Sequence, residues 1–263
     1  MKIDYRELVS EDDFSQCIEM QRNLFNLSDV DILSPLILQL IARKNPPMGI
    51  LLGAFIESEQ NQELVGFSIA MATFQERSMY GAMIGVKPQY QSLGYGLNLI
   101  LKLREFALKE NINYLYGVFE PLEKKLAHLY INHLGFTGIK YQESVYYLQD
   151  TRDRATSTDK LLFKWDLNSF STHDKNRNNS GDLMAKYPRA TKDVMPDAPG
   201  VLVEIPNDFG HMEKEDSASA IYWRQCTKDI FIHYINCRKY IVNDCLTFED
   251  NQIKKSFYLL KAQ

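Results

Sequence analysis

Residues 84–110, IGVKPQYQSLGYGLNLILKLREFALKE, constrain the fold more than any other stretch. An apolar run stops at Pro88, glycines follow at 94 and 96, and a long amphipathic segment begins at once. That order predicts a strand, a glycine-containing turn and a helix. A helix start leaves its first backbone N–H groups unpaired and carries a partial positive charge. Glycines let a ligand approach such backbone closely. Together these parts make a place to hold an anion. The helix behind the turn is patterned for burial, with Leu97, Ile100, Leu101, Ala107 and Leu108 on one face. The turn lacks G-K-[ST], which excludes a nucleoside-triphosphate loop. It also lacks the third glycine and the preceding βαβ order of a dinucleotide fingerprint.

The flanking sequence sets this motif in an α/β chain. Residues 2–9 read as a strand, and Ser10, followed by Asp12 and Asp13, as a helix start. A second helix is expected over 32–43. Strands follow in GILLGAFIE, ELVGFSIAMATF and SMYGAMIGV, the last with few polar residues on either face, as in a central strand. After the turn and helix come the strand NINYLYGVF, a helix bounded by Pro121 and Gly135, and strands in FTGIKY, SVYYLQ and KLLFKWDL. Residues 1–168 thus form one domain, a mixed and mostly antiparallel sheet flanked by helices. Residues 169–199, rich in Ser, Asn, Asp, Lys and Pro, read as a linker or long loop. Residues 200–263 read as a strand, a helix over 213–237 and a closing hairpin. About 65 residues are few for an independent core, so this extension is expected to pack on the first domain. No internal repeat shows at a fixed period.

The net charge of −4 argues against binding nucleic acid by neutralising phosphates. No apolar run approaches the roughly 20 residues that span a bilayer. The first residues lack the apolar core of a signal peptide, and the expected location is cytoplasmic. The four cysteines form no C-x-x-C pair and read as buried free thiols. The five histidines are scattered, and no metal is expected.

VKPQYQSLGYG resembles the pyrophosphate-binding signature of the GNAT superfamily of acyl-CoA N-acyltransferases. Val86, Pro88, Tyr90, Gln91, Gly94 and Gly96 match it in order. YLYGVFEPLEKKLAHLYINHLGF resembles the second signature, a strand, a helix and then LGF. With VLVEIPNDF, the chain is similar over nearly its whole length to one branch, predicted bacterial acetyltransferases with an extra C-terminal segment. The resemblance implies that backbone N–H groups of Leu93, Gly94, Tyr95, Gly96 and Leu97 cradle the coenzyme A pyrophosphate. Gln91 and Ser92 belong to the same loop, which Gln91 would support. Ile84, Gly85 and Val86 would pair with the pantetheine arm, and a bulge in their strand would aim one N–H at the thioester oxygen. Acetyl-CoA is the implied donor, with succinyl-CoA as an option, and the acceptor is a small-molecule amine, an amino acid among the options.

The same resemblance exposes a departure. Many family members carry a tyrosine four residues before the glycine of LGF, and here that residue is Ile131. Tyr130 and Asn132 flank it, each about 100° away around a helix. Tyr130 displaced into the role, Asn132 positioning the thioester and water as proton donor all stay open. Glu120, before Pro121, is the candidate carboxylate. Tyr80 and Tyr116 are candidates to line an acceptor channel, Glu76 and Arg77 to meet the acceptor, and Arg152 or Arg154 to pair with a carboxylate on it. Three readings follow: an N-acyltransferase, an acyl-CoA-binding module without turnover, and an interaction protein whose C-terminal piece makes a homodimer.

Overall fold

The computed structural model describes residues 3–57, 62–146, 156–169, 180–250 and 253–263. They divide into two compact units, one built mainly from residues 3–117, the other mainly from 118–146, 156–165 and 180–263. Among the described residues no helix is long and apolar enough to cross a membrane.

The first unit contains β1 (Ile3–Glu7), α1 (Glu11–Phe25), α2 (Pro35–Ile41), β2 (Gly49–Glu57), β3 (Gln62–Ala72), β4 (Ser78–Val86), α3 (Tyr95–Lys109) and the first four residues of β5 (Tyr114–Phe119). Its sheet runs β1-β2-β3-β4-β5, antiparallel except for the parallel pair β4 and β5. Ser10 caps α1 by accepting from the Asp13 N–H, while the Asp13 carboxylate reaches back to the Ser10 N–H. This reciprocal box satisfies two donors that a helix start otherwise leaves unpaired. The second helix starts at Pro35, later than expected, because the residue before a proline is pushed out of helical geometry. Phe14, Cys17 and Ile18 of α1 bury against Leu38, Leu51, Phe55 and Phe67. The buried face of α3 is Leu99, Ile100, Leu103 and Ala107, so Leu97, Leu101 and Leu108 sit at its margin.

The second unit holds the end of β5, then α4 (Lys124–Ala127), which runs into a π-helical turn, His128–His133. There follow β6 (Thr137–Gln142), β7 (Lys160–Asp166), α5 (Ser180–Lys186), β8 (Arg189–Ala190), β9 (Gly200–Ile205), α6 (Phe209–Glu215) and α7 (Ser217–Phe231). Helix α7 runs into another π-helical turn, Ile232–Cys237, before β10 (Ile241–Asp250) and β11 (Ile253–Lys261). Strand order is β7-β6-β10-β11-β9-β8, with β8 and β9 parallel and the other neighbouring pairs antiparallel.

The mixed, mostly antiparallel sheet flanked by helices is the expected class. Several details differ. The single helix expected over 213–237 is two helices, because Asp216 leaves helical geometry and caps α7 through the Ser219 N–H. Part of the expected linker is ordered as α5 and β8, while residues 170–179 lie outside the described ones. Residues 144–146 of SVYYLQ are not in a strand, and 147–149 lie outside the described residues. Cys17 and Cys245 are buried as expected, whereas Cys226 is half-buried and Cys237 exposed.

Candidate functional site

In the first unit, β4 is paired unequally on its two sides. With β3 it pairs as far as Val86, opposite Gly66. With β5 its ladder runs from Ser78 opposite Tyr114 to Gly81 opposite Gly117 and stops. Residues 82–86, which include Ile84, Gly85 and Val86, therefore keep backbone groups unclaimed by a second strand of this unit. The β3–β4 register also slips between the pairs Ile69–Met83 and Ala70–Gly81. Ala82 is thus the extra residue of a β-bulge, which turns its peptide groups out of the ladder.

Beyond Val86 the chain makes a single 3₁₀ turn, Pro88–Tyr90, and enters the glycine turn. The Gln91 side-chain amide donates to the Val86 carbonyl at 2.9 Å and ties the turn to the end of β4. Ser92 and Gly94 both take positive φ, 62° and 83°. Gly94 is the N-cap of α3, and a Cβ built on it would meet nothing within 4 Å. Glycine is needed there for its conformation, and the space beside it is open. The first bond of α3 runs from the Asn98 N–H to the Gly94 carbonyl at 3.0 Å. The N–H groups of Tyr95, Gly96 and Leu97 consequently have no helical acceptor. Lys87 is paired with Glu63 at 2.7 Å. An anion at this turn would be held chiefly by backbone N–H groups and the helix end.

In the second unit, the Glu120 carboxylate follows β5 and is held from three directions. Its Oε1 lies 2.8 Å from Nη1 of Arg224, its Oε2 lies 3.2 Å from the Lys160 ammonium, and Oε1 also accepts from the Leu122 N–H. Arg224 belongs to α7 and is only 4% exposed, with its guanidinium over the Phe209 ring. Its approach to Glu120 is close as an ion pair but poorly aligned as a hydrogen bond, and its Nε has no hydrogen-bond partner. Burial opposes the guanidinium charge, but Glu120, with Tyr141 and Asp159 beside it, outweighs that and the pKa rises. Nearby, Tyr141 donates to Asp159 at 2.6 Å. Burial first, then Asp159, pushes the Tyr141 hydroxyl far up. Burial works against ionised Asp159, yet hydrogen bonds from Tyr141 and the Ser144 N–H, with Arg224 beside them, hold its carboxyl below the usual range.

Tyr130 is 8% exposed and packs among Phe119, Phe136 and Phe163, stacked on Phe136 at 5.1 Å. Burial pushes its hydroxyl up to about 12. Asn132 is committed elsewhere: its amide donates to the Cys245 carbonyl at 2.7 Å and its oxygen accepts from the Cys245 N–H at 3.0 Å. Of the three candidates around the proton-transfer step, Tyr130 is therefore in an aromatic core and Asn132 in a backbone clamp. Tyr80 and Tyr116 are half-buried partners in the β4–β5 ladder. Glu76 and Arg77 are exposed. Arg152 and Arg154 lie outside the described residues. No group of three or more His, Cys, Asp or Glu gathers among the described residues.

Sequence reasoning missed Arg224 and Lys160. The signal for Arg224 was present: Ala220, Thr227 and Phe231 lie at helical spacing on its own face, so an arginine stands in an apolar stripe and needs a buried acid.

Residues 18–136 match the model of the acetyltransferase (GNAT) family. No curated protein matches the chain. Solved structures do. One is Arabidopsis thaliana NAA60 in complex with acetyl-CoA, 16% identical, with a TM-score of 0.50, covering 64% of this chain and 99% of that one. The same protein with a bisubstrate analogue is 15% identical, with a TM-score of 0.51, covering 63% and 99%. A GNAT-family acetyltransferase from Streptococcus pneumoniae is 20% identical, with a TM-score of 0.49, covering 62% and 98%. At these identities the likeness to NAA60 is one of fold.

Proposed function

Because residues 18–136 match the model of the acetyltransferase (GNAT) family, we propose that the chain is an N-acyltransferase of that kind and moves an acyl group from coenzyme A to a small-molecule amine. The observation that carries this reading is β4, bulged at Ala82, open along residues 82–86 and ending at a glycine-capped helix start. Acetyl-CoA is the proposed donor, with succinyl-CoA to be tested beside it. An amino acid is the first acceptor to try, and the cytoplasm is the proposed location.

Bound acyl-CoA supplies an acyl group activated as a thioester. Backbone N–H groups of residues 93–97 hold the pyrophosphate, and Gln91 keeps that turn on the end of β4. Ile84, Gly85 and Val86 offer unclaimed backbone groups to the pantetheine amides. An N–H freed at the bulge stabilises the charge that develops on the thioester oxygen. The acceptor must be neutral to attack, and an α-amino group with pKa around 8 is partly so without a strong base. Glu120 is the proposed carboxylate that takes the amine's proton, its orientation fixed by Arg224 and Lys160. The leaving thiolate, with a pKa near 8.5, needs only weak assistance, which water can give.

A second reading, an acyl-CoA-binding module without turnover, is favoured by the burial of Tyr130 and the clamp on Asn132. A thiol-release assay with acetyl-CoA and succinyl-CoA over a panel of amino acids and simple amines separates the two. Amine-dependent release that disappears in Gly94→Glu supports transfer. Coenzyme A binding without release supports the module. Neither binding nor release refutes both.

A further inference from the structure

The two π-helical turns are not separate accidents. Tyr130, Ile131 and Asn132 recur as Tyr234, Ile235 and Asn236. In the first turn the Leu134 N–H bonds to the Leu129 carbonyl and the Phe136 N–H to the Tyr130 carbonyl. In the second, Arg238 bonds to His233 and Tyr240 to Tyr234, each residue displaced by the same interval. Gly135 and Lys239, again at that interval, both take positive φ, 76° and 63°. Tyr130 lies 5.1 Å from Phe136, and Tyr234 lies 5.2 Å from Tyr240.

The strands continue the correspondence. The β6–β7 register slips between Gly138 and Lys140, and the β10–β11 register slips between Val242 and Asp244. Both hairpins thus carry a bulge at the same place. Phe163 faces Gly138 as Leu260 faces Val242, and Leu161 faces Tyr141 as Tyr258 faces Cys245. Before each hairpin stands a strand, β5 or β9, whose preceding neighbour in its sheet pairs with it in parallel.

These two copies meet at matching points. Gly138 of β6 pairs with Val242 of β10, its own counterpart. Asn132 clamps Cys245, while Asn236 accepts from the Tyr141 N–H at 3.0 Å and donates to its carbonyl at 2.9 Å. Tyr141 and Cys245 are counterparts as well. Residue i meets j while the counterpart of i meets the counterpart of j, which is the signature of a two-fold, self-complementary interface between identical partners. Here both partners are in one chain.

We infer that residues 232–261 repeat the unit formed by residues 128–142 and 160–164 and serve it as a built-in partner, in the place a second chain would take. The second copy keeps the docking face: without β10, β6 would be a bare sheet edge open to other chains. The segment before it differs: α3 stands between the parallel strands β4 and β5, whereas residues 191–199 between the parallel strands β8 and β9 contain no helix. The helix that leads into the second copy, α7, also brings Arg224 to Glu120 at the end of β5. The inference stands independently of the proposed reaction.

The test is the mass of the full chain and the exchange of two amides. Sedimentation equilibrium should give a single chain of 30.5 kDa across a wide concentration range. Asn236→Ala should speed hydrogen exchange of the Tyr141 amide, and Asn132→Ala that of the Cys245 amide, each by roughly tenfold, without changing the mass. A two-chain mass for the wild-type protein would overturn the built-in pairing. Unaltered exchange at Tyr141 and Cys245 would overturn the reciprocal docking even in a single chain. Neither readout depends on acyl transfer, so a failed activity assay would leave this test intact.

Discussion

The carboxamide of Asn132 brackets the backbone of Cys245, donating to its carbonyl at 2.7 Å and accepting from its N–H at 3.0 Å. A residue expected to help at the thioester is here a clamp on a buried strand. Replacing it with alanine leaves a backbone donor and acceptor without these partners, which costs about 1–3 kcal/mol. Asn132→Ala should therefore lower the urea midpoint while coenzyme A affinity stays unchanged. A loss of turnover with stability unchanged would return Asn132 to the chemistry.

Gly94 makes the opposite case, a residue that matters for what it leaves empty. Its φ of 83° disfavours any side chain, by roughly 1–2 kcal/mol, but a Cβ there strikes nothing. Gly94→Glu should fold and place a carboxylate where the pyrophosphate belongs. Calorimetry should show one coenzyme A per wild-type chain and none for the variant. Binding retained in Gly94→Glu would remove the turn from the site.

The glycine turn was legible because it is local: apolar strand, Pro88, Gly94, Gly96 and an amphipathic helix are contiguous, and each has a conformational meaning alone. Ser10 with Asp13 was legible for the same reason. Arg224 with Glu120 was not, since the pair joins residues far apart in the chain and only the fold brings them together. The internal copy escaped for a related reason. What the halves share is backbone geometry, and Lys239 takes the positive φ that Gly135 advertises, so little but Tyr-Ile-Asn survives in letters. The break of the long helix at Asp216 was visible only as a capping residue inside an otherwise helical pattern, and a cap shows itself by what it bonds.

Tyr130 tests whether this chain needs a side chain to protonate the leaving thiolate. Its hydroxyl, pushed up to about 12 by burial, stays protonated at neutral pH among three aromatic rings. Tyr130→Phe keeps the ring packing and removes only the oxygen. Turnover should stay within about threefold of wild type if water is the donor. A fall of about a hundredfold or more, with KM unchanged, would assign the proton to Tyr130.

Glu120 answers to two cations, and its removal should be felt in the fold as well as in turnover. Glu120→Gln leaves Arg224 buried without its acid, a loss of about 2–4 kcal/mol. Arg224→Met introduced into that variant should recover part of the loss, because the uncompensated charge goes with it. Thermal unfolding of both single variants and the double variant measures the coupling. Additive losses would show that the 2.8 Å approach contributes nothing.

The pH dependence of stability has one well-placed source in the first unit. Burial works against ionised Asp13, but two bonds from Arg6, each 2.9 Å, and the Val9 and Ser10 N–H groups hold its carboxyl at about 2, below the ordinary 3.8. A carboxyl lowered by folding favours the folded state wherever the unfolded chain is ionised. The contribution is therefore full above about pH 5, falls as pH drops through the unfolded value, and is gone below about pH 2. Because Arg6 is partly exposed and its attraction screened, the contribution is set at about 1–2 kcal/mol. Asp13→Asn should destabilise the protein by that amount at neutral pH, and the gap from wild type should close on acidification. A pH series of urea midpoints checks it. A gap that persists at about pH 2 would mean that the variant loses the capping geometry of α1 rather than the charge.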